Sequence, residues 1–169
     1  MSITIRPATE RDLPAIASFA RWTYEKAFGD GFSPEDLAHH LNHRLSDRYF
    51  RDAAARDRFF IADVDGQMAG YVQFGPGDGK TKDSPHRQIV RLYVHPDRQG
   101  HGIGSALMEA ALADKSMASA DAIYLDVWDR NDGARRLYER FGFEVIGGHN
   151  FITATGVVMG QDLLMVLRR

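Results

Sequence analysis

The spacing of apolar residues along the chain predicts short strands that alternate with amphipathic helices. Runs rich in β-branched and aromatic residues, or alternating with polar residues, indicate strands. Seven such runs occur, at 3–5, 58–64, 68–74, 89–94, 122–128, 143–146 and 163–167. Apolar residues repeat at helical spacing over 13–27, 103–111 and 134–141, two short helices are expected within 34–55, and glycine-containing segments at 75–86 and 147–160 are interpreted as loops.

The order of these elements predicts a mixed sheet. Asp65-Gly66 separates the second and third strands, and this dipeptide favours a tight hairpin. A helix separates the fourth and fifth strands, so we expect them to be parallel and joined by a right-handed crossover. One crossover and several hairpins indicate an α/β protein in which helices flank a mixed sheet. We expect residues 1–169 to form a single domain.

Composition and charge exclude several classes of function. The 169 residues are 44% hydrophobic and 26% charged, as in an ordinary globular domain. The formal net charge is −2, so no basic surface favours nucleic acid as a partner. No cysteine is present, which excludes disulfides, thiolate catalysis and cysteine-ligated zinc. The chain has neither a bilayer-length apolar run nor a recognisable signal peptide, so we expect a cytoplasmic protein without a membrane partner.

The most informative stretch joins the fourth strand to the helix that follows it. Pro96 ends the strand, and Gly100, Gly102 and Gly104 then alternate up to the start of the helix. Glycines let main-chain N–H groups approach a ligand, and a helix N-terminus adds unpaired donors and partial positive charge. The pattern therefore predicts an anion site, most often for phosphate.

This turn has three interpretations. A dinucleotide fingerprint, GxGxxG, is disfavoured because Ser105 stands where its last glycine or alanine would be, and because five residues, 95–99, precede the first glycine. A tight turn that binds nothing is compatible with the same glycines. The third interpretation is a site for the pyrophosphate of coenzyme A, which Arg98 and Gln99 support.

Two motifs together carry a resemblance to a known family. The segment Gln99-Gly100-His101-Gly102-Ile103-Gly104 resembles the (Arg/Gln)-x-x-Gly-x-(Gly/Ala) signature of the GNAT acyltransferase superfamily. About thirty residues later comes the Asn…Ala…Tyr…Gly-Phe pattern of that superfamily, at Asn131, Ala134, Tyr138 and Gly142-Phe143. More loosely, the order of features is similar to bacterial polyamine N-acetyltransferases of the PaiA type. The stretches that carry this second likeness are 24–28, 33–36, 127–131, 148–151 and 161–163.

The resemblance implies a fold and a co-substrate. The fold would be GNAT-like: a mostly antiparallel sheet of about six to seven strands with one parallel pair, and helices on both faces. The co-substrate would be acetyl-CoA, with its pyrophosphate on the glycine turn and its pantetheine arm between the two parallel strands, which splay apart. The residues that the resemblance assigns to coenzyme A are Leu92, Val94, Arg98, Gln99, Gly100, His101, Gly102, Ile103, Gly104, Ser105, Asn131 and Tyr138.

The resemblance also implies catalytic roles. The main-chain amide of Val94 would polarise the thioester carbonyl, and Tyr138 would protonate the departing thiolate. Asn131 would hold the pantetheine or cap a helix, and both roles stay open. Many members of the family carry a glutamate where this chain has Val90, so the general base is unassigned. Asp126 is one candidate and a water chain is another, although Asp126 could equally be an exposed strand residue.

An amine acceptor would favour acidic residues at its binding surface. Glu25, Asp30, Glu35 and Asp36 lie where the family builds its acceptor site, although the last two could simply serve a helix N-terminus. We expect no metal, because the pair His39 and His43 has no third ligand in the sequence.

We therefore predict an acetyl-CoA-dependent N-acetyltransferase. It would move the acetyl group to a primary amine of a small molecule, with a polyamine as one candidate, by direct attack through a tetrahedral intermediate. One alternative is a catalytically silent CoA-binding module that senses or regulates. Another is an acetyltransferase that acts on a protein amine or an antibiotic. The sequence leaves the oligomeric state open, with a homodimer as one alternative.

Overall fold

The structure, a computed structural model, describes residues 1–76 and 86–169. The strands are β1 Ile3–Pro7, β2 Arg58–Val64, β3 Gln67–Gly75, β4 His86–Val94, β5 Ala122–Trp128, β6 Glu144–Ile152 and β7 Val158–Arg168. The helices are α1 Leu13–Phe28, α2 Pro34–Arg44, α3 Asp47–Ala53, α4 Ile103–Ala113, α5 Lys115–Ala118 and α6 Asp132–Arg140. None of these helices has the length and apolar character needed to cross a membrane.

The strands form one seven-stranded sheet in the order β1-β2-β3-β4-β5-β7-β6. Strands β4 and β5, which α4 and α5 connect, are parallel, and the other neighbouring pairs are antiparallel. This topology confirms the predicted mixed sheet with one parallel pair.

Helices cover both faces of the sheet, because side chains along a strand alternate between its two faces. On one face α1 and α3 pack on β2 and β3, and Ile16, Phe50 and Tyr71 are fully buried there. On the other face α4, α5 and α6 pack on the centre of the sheet, and Leu107 and Ile123 are fully buried. The two cores confirm the prediction of helices on both faces.

Local sequence signals begin several of the elements. The hydroxyl of Ser33 accepts a hydrogen bond from the Asp36 main-chain N–H at 3.1 Å and caps α2, as expected of serine before a proline. Asp65 and Gly66 have φ of 53° and 79°, so both occupy the left-handed region that a tight hairpin turn requires. The predicted hairpin between β2 and β3 is present.

The prediction of a loop over 147–160 is wrong. Strand β6 continues to Ile152 and β7 begins at Val158, so a long hairpin occupies most of this segment. Strand β6 lies at the edge of the sheet and is exposed along most of its length, so its sequence lacks the apolar alternation of a half-buried strand. Most of the loop predicted over 75–86 lies outside the described residues.

An irregularity in β4 decides which side chains face which core. Gln73 pairs with Arg91, but the next residue of β3 pairs with Ile89, which leaves Val90 as the extra residue of a β-bulge. The extra residue shifts the alternation by one position. Arg91 and Tyr93 therefore face the side of α1 and α3, whereas Ile89 faces the side of α4.

The close packing of α4 on β3 leads to a stability prediction. A Cβ on Gly70 would lie 2.7 Å from the Tyr93 carbonyl oxygen and 3.2 Å from Leu107 Cδ1. We expect Gly70→Ala to lower the free energy of unfolding by about 1–3 kcal/mol, because backbone must shift to admit the methyl group. Urea denaturation measures the change.

Gly133→Ala is the matched control for this substitution. A Cβ on Gly133, in α6, would meet nothing within 4 Å, and alanine favours helix. We expect this variant to gain up to about 1 kcal/mol of stability. Similar losses of stability in both variants would contradict the packing argument.

Candidate active site

The main opening in the sheet lies between its two parallel strands. Strands β4 and β5 pair only from His86 with Ala122 to Gln88 with Tyr124. Beyond these pairs, residues 89–94 and 125–128 are not paired with each other, and a gap opens between them. A cavity of about 920 Å³ lies at this gap, with walls from β4, β5, α1, α2, α6 and the β6–β7 hairpin.

Main-chain groups of β4 are directed into the gap. In an antiparallel pair, residues that exchange hydrogen bonds alternate with residues that do not. The N–H of His95 donates to the carbonyl of Ala69 at 2.8 Å, so the register gives Leu92 and Val94 the positions that form no hydrogen bonds with β3. Their N–H and C=O groups therefore point toward β5, across the gap.

The glycine turn lies at the C-terminal end of β4. Gly100 and Gly102 have φ of 77° and 84°, and a Cβ on either would meet nothing within 4 Å. Helix α4 begins after Gly102 with no side-chain cap and no acidic residue in its first turn. The turn therefore presents open space, main-chain N–H groups and the positive end of a helix dipole, which suits a phosphate group.

The other residues of the turn support it in different ways. A Cβ on Gly104 would lie 3.1 Å from Leu137 Cδ2, so this glycine permits close packing of α4 on α6. Ile103 is buried in the core and can offer a ligand only main-chain groups. The His101 ring turns back to the Gln99 carbonyl, with Nδ1 2.9 Å from its oxygen. Gln99 in turn donates from Nε2 to the Val94 carbonyl at 3.4 Å.

Arg98 and Ser105 lie at the two ends of the turn. Arg98 closes the short helical turn that follows Pro96, and its guanidinium donates to the sulfur of Met1 at 3.7 Å. Ser105 lies in the first turn of α4 and is partly exposed. Its hydroxyl is therefore accessible beside the main-chain N–H groups of the turn.

Tyr138 and Asn131 come from α6 and its N-cap. Tyr138 is 6% exposed and its side chain belongs both to the core and to the wall of the cavity. Burial, together with the nearby hydroxyl of Tyr93, raises the pKa of the Tyr138 phenol, so it remains protonated at neutral pH. The Asn131 side chain accepts a hydrogen bond from the Ala134 N–H at 3.2 Å, so it caps α6.

Asp126 lies on β5 and contributes to the wall of the cavity. Its side chain is partly buried and shares a face with Trp128, two residues further along the strand. That face is on the side of α1 and α2, across the gap from Arg91. Val90, at the bulge, also borders the cavity but offers no titratable group.

The four acids that the resemblance assigned to the acceptor site do not gather in the cavity. Glu25, Asp30 and Glu35 are exposed and are not among the residues that form its walls. Asp36 does border it, but its carboxylate accepts hydrogen bonds from the N–H of Thr155 at 2.9 Å and from its hydroxyl at 2.7 Å. Asp36 thus ties α2 to the β6–β7 hairpin.

Instead, one wall of the cavity is aromatic, a feature that sequence reasoning missed. We call this set the aromatic wall; its members are Tyr24, Phe28, Phe32, His40, Trp128 and Phe151. The His40 ring stacks on Tyr24 with centroids 4.2 Å apart, and Phe28 meets Trp128 edge-on at 5.1 Å. Burial lowers the pKa of His40 to about 4, with Arg91 and Arg44 adding to the effect, so its imidazole is neutral at pH 7.

A second feature that the sequence did not predict is the set of polar contacts around Arg91. Its guanidinium donates to the Tyr49 hydroxyl and lies 3.4 Å from Gln73 Oε1. The Gln73 amide donates to Asp57 Oδ2 at 2.7 Å, and Asp57 also pairs with Arg56 at 3.4 Å. Arg91, Tyr49, Asp57 and Arg56 all border the cavity.

Within the described residues, no group of three or more histidine, cysteine, aspartate or glutamate side chains is arranged to hold a metal. His39 and His43 stack on each other on α2, with ring centroids 4.0 Å apart.

Comparison with known sequences gives a consistent result. The sequence pattern described as the Acetyltransferase (GNAT) family matches residues 15–143. An uncharacterized N-acetyltransferase of Lactobacillus delbrueckii subsp. lactis is 30% identical over 154 residues, which are 89% of each chain. An uncharacterized N-acetyltransferase of Mycobacterium bovis is 29% identical over 157 residues, 92% of this chain and 96% of the relative.

Solved structures share the fold. The PaiA N-acetyltransferase of Thermoplasma acidophilum, in complex with coenzyme A, matches with a TM-score of 0.78 over 100% of both chains, at 19% identity. YncA of Salmonella typhimurium, solved with its cofactor acetyl-CoA, matches with a TM-score of 0.70 over 99% of this chain and 94% of its own, also at 19% identity. At these identities the likeness shows a common fold.

The glycine turn leads to a binding prediction. We expect Gly102→Asp to weaken coenzyme A binding at least about tenfold, because it puts a side chain and a negative charge into the open space over the helix N-terminus. Isothermal titration calorimetry with coenzyme A measures the change.

Gly66→Asp is the matched control, because Gly66 also has a left-handed φ and open space but lies in the β2–β3 hairpin. It should cost similar stability and leave coenzyme A affinity unchanged. Equal affinity of the Gly102→Asp and wild-type proteins would show that this turn does not bind the pyrophosphate.

The buried His40 leads to a prediction about pH. Since its pKa falls from the usual 6.5 to about 4 on folding, the unfolded chain binds the proton more readily in that window. The contribution of His40 to stability is therefore present above pH 6.5 and is lost as the pH falls to 4.

We expect His40→Phe, which keeps an aromatic ring on Tyr24, to flatten this part of the stability profile. Urea unfolding from pH 4 to 7 tests it, with exposed His43→Phe as the control; identical profiles for all three proteins would contradict the assignment.

Proposed function

The chain belongs to the acetyltransferase (GNAT) family, whose acetyl donor is acetyl-CoA, and we propose that it transfers the acetyl group to the primary amine of a small molecule. The observation that carries the proposal is the gap between β4 and β5. Main-chain groups of Leu92 and Val94 are directed into it, the glycine turn lies at one end, and Tyr138 and Asp126 border the adjoining cavity. Binding groups and proton-transfer groups thus converge on one opening.

The residues of the glycine turn suit the phosphates of the acetyl donor. Main-chain N–H groups from Gln99 to Gly104 and the hydroxyl of Ser105 supply the donors, and the dipole of α4 adds favourable potential. The pantetheine arm is an extended chain of amides, for which the main-chain groups of Leu92 and the N–H of Val94, which form no hydrogen bonds with β3, offer hydrogen bonds. When bound, acetyl-CoA supplies a thioester with an electrophilic carbonyl carbon.

The Val94 N–H has the role of an electrostatic catalyst. It donates a hydrogen bond toward the thioester oxygen, where negative charge develops as the amine attacks. A fixed donor of this kind costs no reorganisation during the reaction, and such groups contribute on the order of a hundredfold or more to rate.

The acceptor must lose a proton to react. A free alkylamine has a pKa of about 10 and is mostly protonated at pH 7. Asp126 accepts this proton, directly or through a water chain, since Val90 offers no carboxylate at the neighbouring position of β4. The partly buried position of Asp126 on the acceptor side of the gap supports this role.

Tyr138 protonates the leaving thiolate. The phenol is protonated at neutral pH and can supply the proton, but it is a weaker acid than a thiol, whose pKa is roughly 8.5. The transfer is therefore completed when Tyr138 regains a proton that the attacking amine loses. Burial raises the pKa of Tyr138, so the acid form is present throughout the neutral range. The position of the side chain in the cavity wall supports transfer to a sulfur atom in the gap.

A polyamine is the first named acceptor to test, because the order of sequence features is similar to bacterial polyamine N-acetyltransferases of the PaiA type. The assay is release of free thiol from acetyl-CoA with spermidine, spermine, amino acids, lysine peptides and aminoglycosides. Turnover with any amine would establish N-acetyl transfer. A thermal shift with coenzyme A and no turnover on the whole panel would favour a silent binding module instead.

The role of Tyr138 leads to a kinetic prediction. We expect Tyr138→Phe to lower kcat about a hundredfold, because the thiolate loses its acid, and to leave coenzyme A affinity nearly unchanged. Steady-state kinetics and calorimetry measure the two quantities.

Tyr71→Phe is the matched control. Tyr71 is fully buried outside the cavity, and its hydroxyl has no hydrogen-bond partner in the part of the chain that the structure describes. Its loss should leave kcat unchanged. A Tyr138→Phe enzyme with the wild-type kcat, or with kcat and coenzyme A affinity reduced together, would rule out the acid role.

A further inference from the structure

The part of the cavity on the side of α1 and α2, which we call the acceptor side, contains the guanidinium of Arg91. The side chains that contact this cation are uncharged. Arg91 is partly buried there and donates to the Tyr49 hydroxyl, with its Cζ 4.6 Å from the centroid of the Tyr49 ring. It also donates a side-chain hydrogen bond to Tyr93 and lies 3.4 Å from the side-chain oxygen of Gln73. A guanidinium carries five N–H donors and a permanent charge, so these contacts leave capacity for an anion.

Asp57, a buried carboxylate that contacts Gln73, is already engaged by other side chains. Asp57 accepts from the Gln73 amide at 2.7 Å and pairs with Arg56 at 3.4 Å. Gln73 therefore contacts both Asp57 and Arg91. Its side-chain oxygen lies 3.4 Å from the guanidinium, which is long for a hydrogen bond. Removing a charge from water is costly unless a partner compensates it, so an anion from the ligand would be stabilised strongly here.

The bulge at Val90 is what aims Arg91 into the cavity. With regular alternation, Arg91 would face the α4 side of the sheet together with Ile89. The extra residue turns it to the side of α1 and α3, where the acceptor enters. Arg91 lies on β4, three residues before Val94, and the main-chain amide of Val94 is the group proposed to polarise the thioester.

The aromatic wall lies next to this cation. His40, which is close enough to Arg91 for the guanidinium to lower its pKa, stacks on Tyr24 and neighbours Phe32 and Phe151. Because His40 stays neutral at pH 7, the wall carries no charge of its own and suits an apolar or aromatic group. Asp126 lies across the gap on β5, on the same face of the strand as Trp128 of the aromatic wall.

We propose that the acceptor is an α-amino acid with a large apolar or aromatic side chain, bound with its carboxylate on Arg91 and its side chain against the aromatic wall. This inference rests on the function proposed above. The amine nitrogen bonds to the acetyl carbon as the carbon–sulfur bond breaks. The ammonium form of the acceptor loses two protons: one passes through Asp126 to solvent, and the other restores Tyr138 after its phenol has given a proton to the departing thiolate. The products are an N-acetylamino acid and free coenzyme A.

The proposal separates amino acids from polyamines. A polyamine has no carboxylate, so it cannot pair with Arg91 and leaves the guanidinium without an anionic partner. An amino acid brings one charge of each sign, which suits Arg91 on β4 and a carboxylate on β5. The arrangement thus discriminates by the presence of a carboxylate on the acceptor.

The first test uses the wild-type protein and pairs of acceptors that differ only in the carboxylate. Phenylalanine is compared with phenethylamine, tryptophan with tryptamine, and both pairs with spermidine. We expect kcat/KM to be on the order of tenfold to a hundredfold higher for the amino acid of each pair, mainly through KM, since a charge-assisted pair supplies that discrimination. Equal or higher kcat/KM for the decarboxylated amines, or for spermidine, would overturn the proposal while leaving N-acetyl transfer intact.

The second test removes the charge. We expect Arg91→Gln to reduce the preference for the carboxylate to about twofold or less and to leave coenzyme A affinity unchanged, and Arg91→Lys to retain part of it. Arg44→Gln is the control: Arg44 borders the same cavity but is exposed, so its loss should change the preference less than about twofold. A preference that survives in Arg91→Gln would overturn the proposal.

Two further outcomes are distinguishable. If Arg91→Gln fails to fold, the comparison of paired acceptors in the wild-type protein decides by itself. If no amine of any class is acetylated although coenzyme A binds, the proposed function fails and the choice of acceptor fails with it.

Discussion

The hydrogen bonding between β4 and β5 stops after the first three residue pairs, and the chemistry of the molecule depends on that interruption. A sheet interior normally pairs every main-chain N–H and C=O group, because unpaired buried groups are costly. Here the central strands diverge, so the groups of Leu92 and Val94 face a gap rather than a neighbouring strand. The sheet stays intact because β3 holds β4 on one side and β7 holds β5 on the other along its length. Such a gap can bind an extended ligand that forms hydrogen bonds with these main-chain groups, as a neighbouring strand would.

The two faces of the sheet contribute different elements to the site at this gap. On one face α4 begins at the end of the gap with its N–H groups exposed, and α6 brings the buried Tyr138 to the opening. On the other face α1, α2 and the β6–β7 hairpin enclose the cavity. The contact between Asp36 and Thr155 joins two of these elements across 119 residues of sequence. In the proposed reaction the donor and the acceptor approach the same point from opposite sides of the sheet.

The acceptor side combines neutral aromatic rings with a few charges at defined positions. Burial keeps His40 neutral against Tyr24, so the aromatic wall is apolar at pH 7. Arg91 and Asp126 stand on different strands at either side of the gap, and the bulge at Val90 is the reason that Arg91 faces this side at all. In a cavity with low local dielectric, charges have more influence on a ligand than they would at the surface. The arrangement is one that distinguishes ligands by the sign and position of their charges.

The sequence by itself determined the features that depend on local chemistry. The bounds of β2 and β5 were predicted correctly, because strands buried on at least one face carry a clear apolar pattern. The glycine turn before α4 and the residue that caps α6 could also be identified, since helix starts and positive φ angles have recognisable residue preferences. Only the tertiary structure decided the rest. The exposed edge strand β6 carries no such pattern, and the bulge that turns Arg91 exists only in the register between β3 and β4. Likewise Asp36 and Asp126 are both aspartates in the sequence, and long-range packing alone ties one to Thr155 and leaves the other beside the gap.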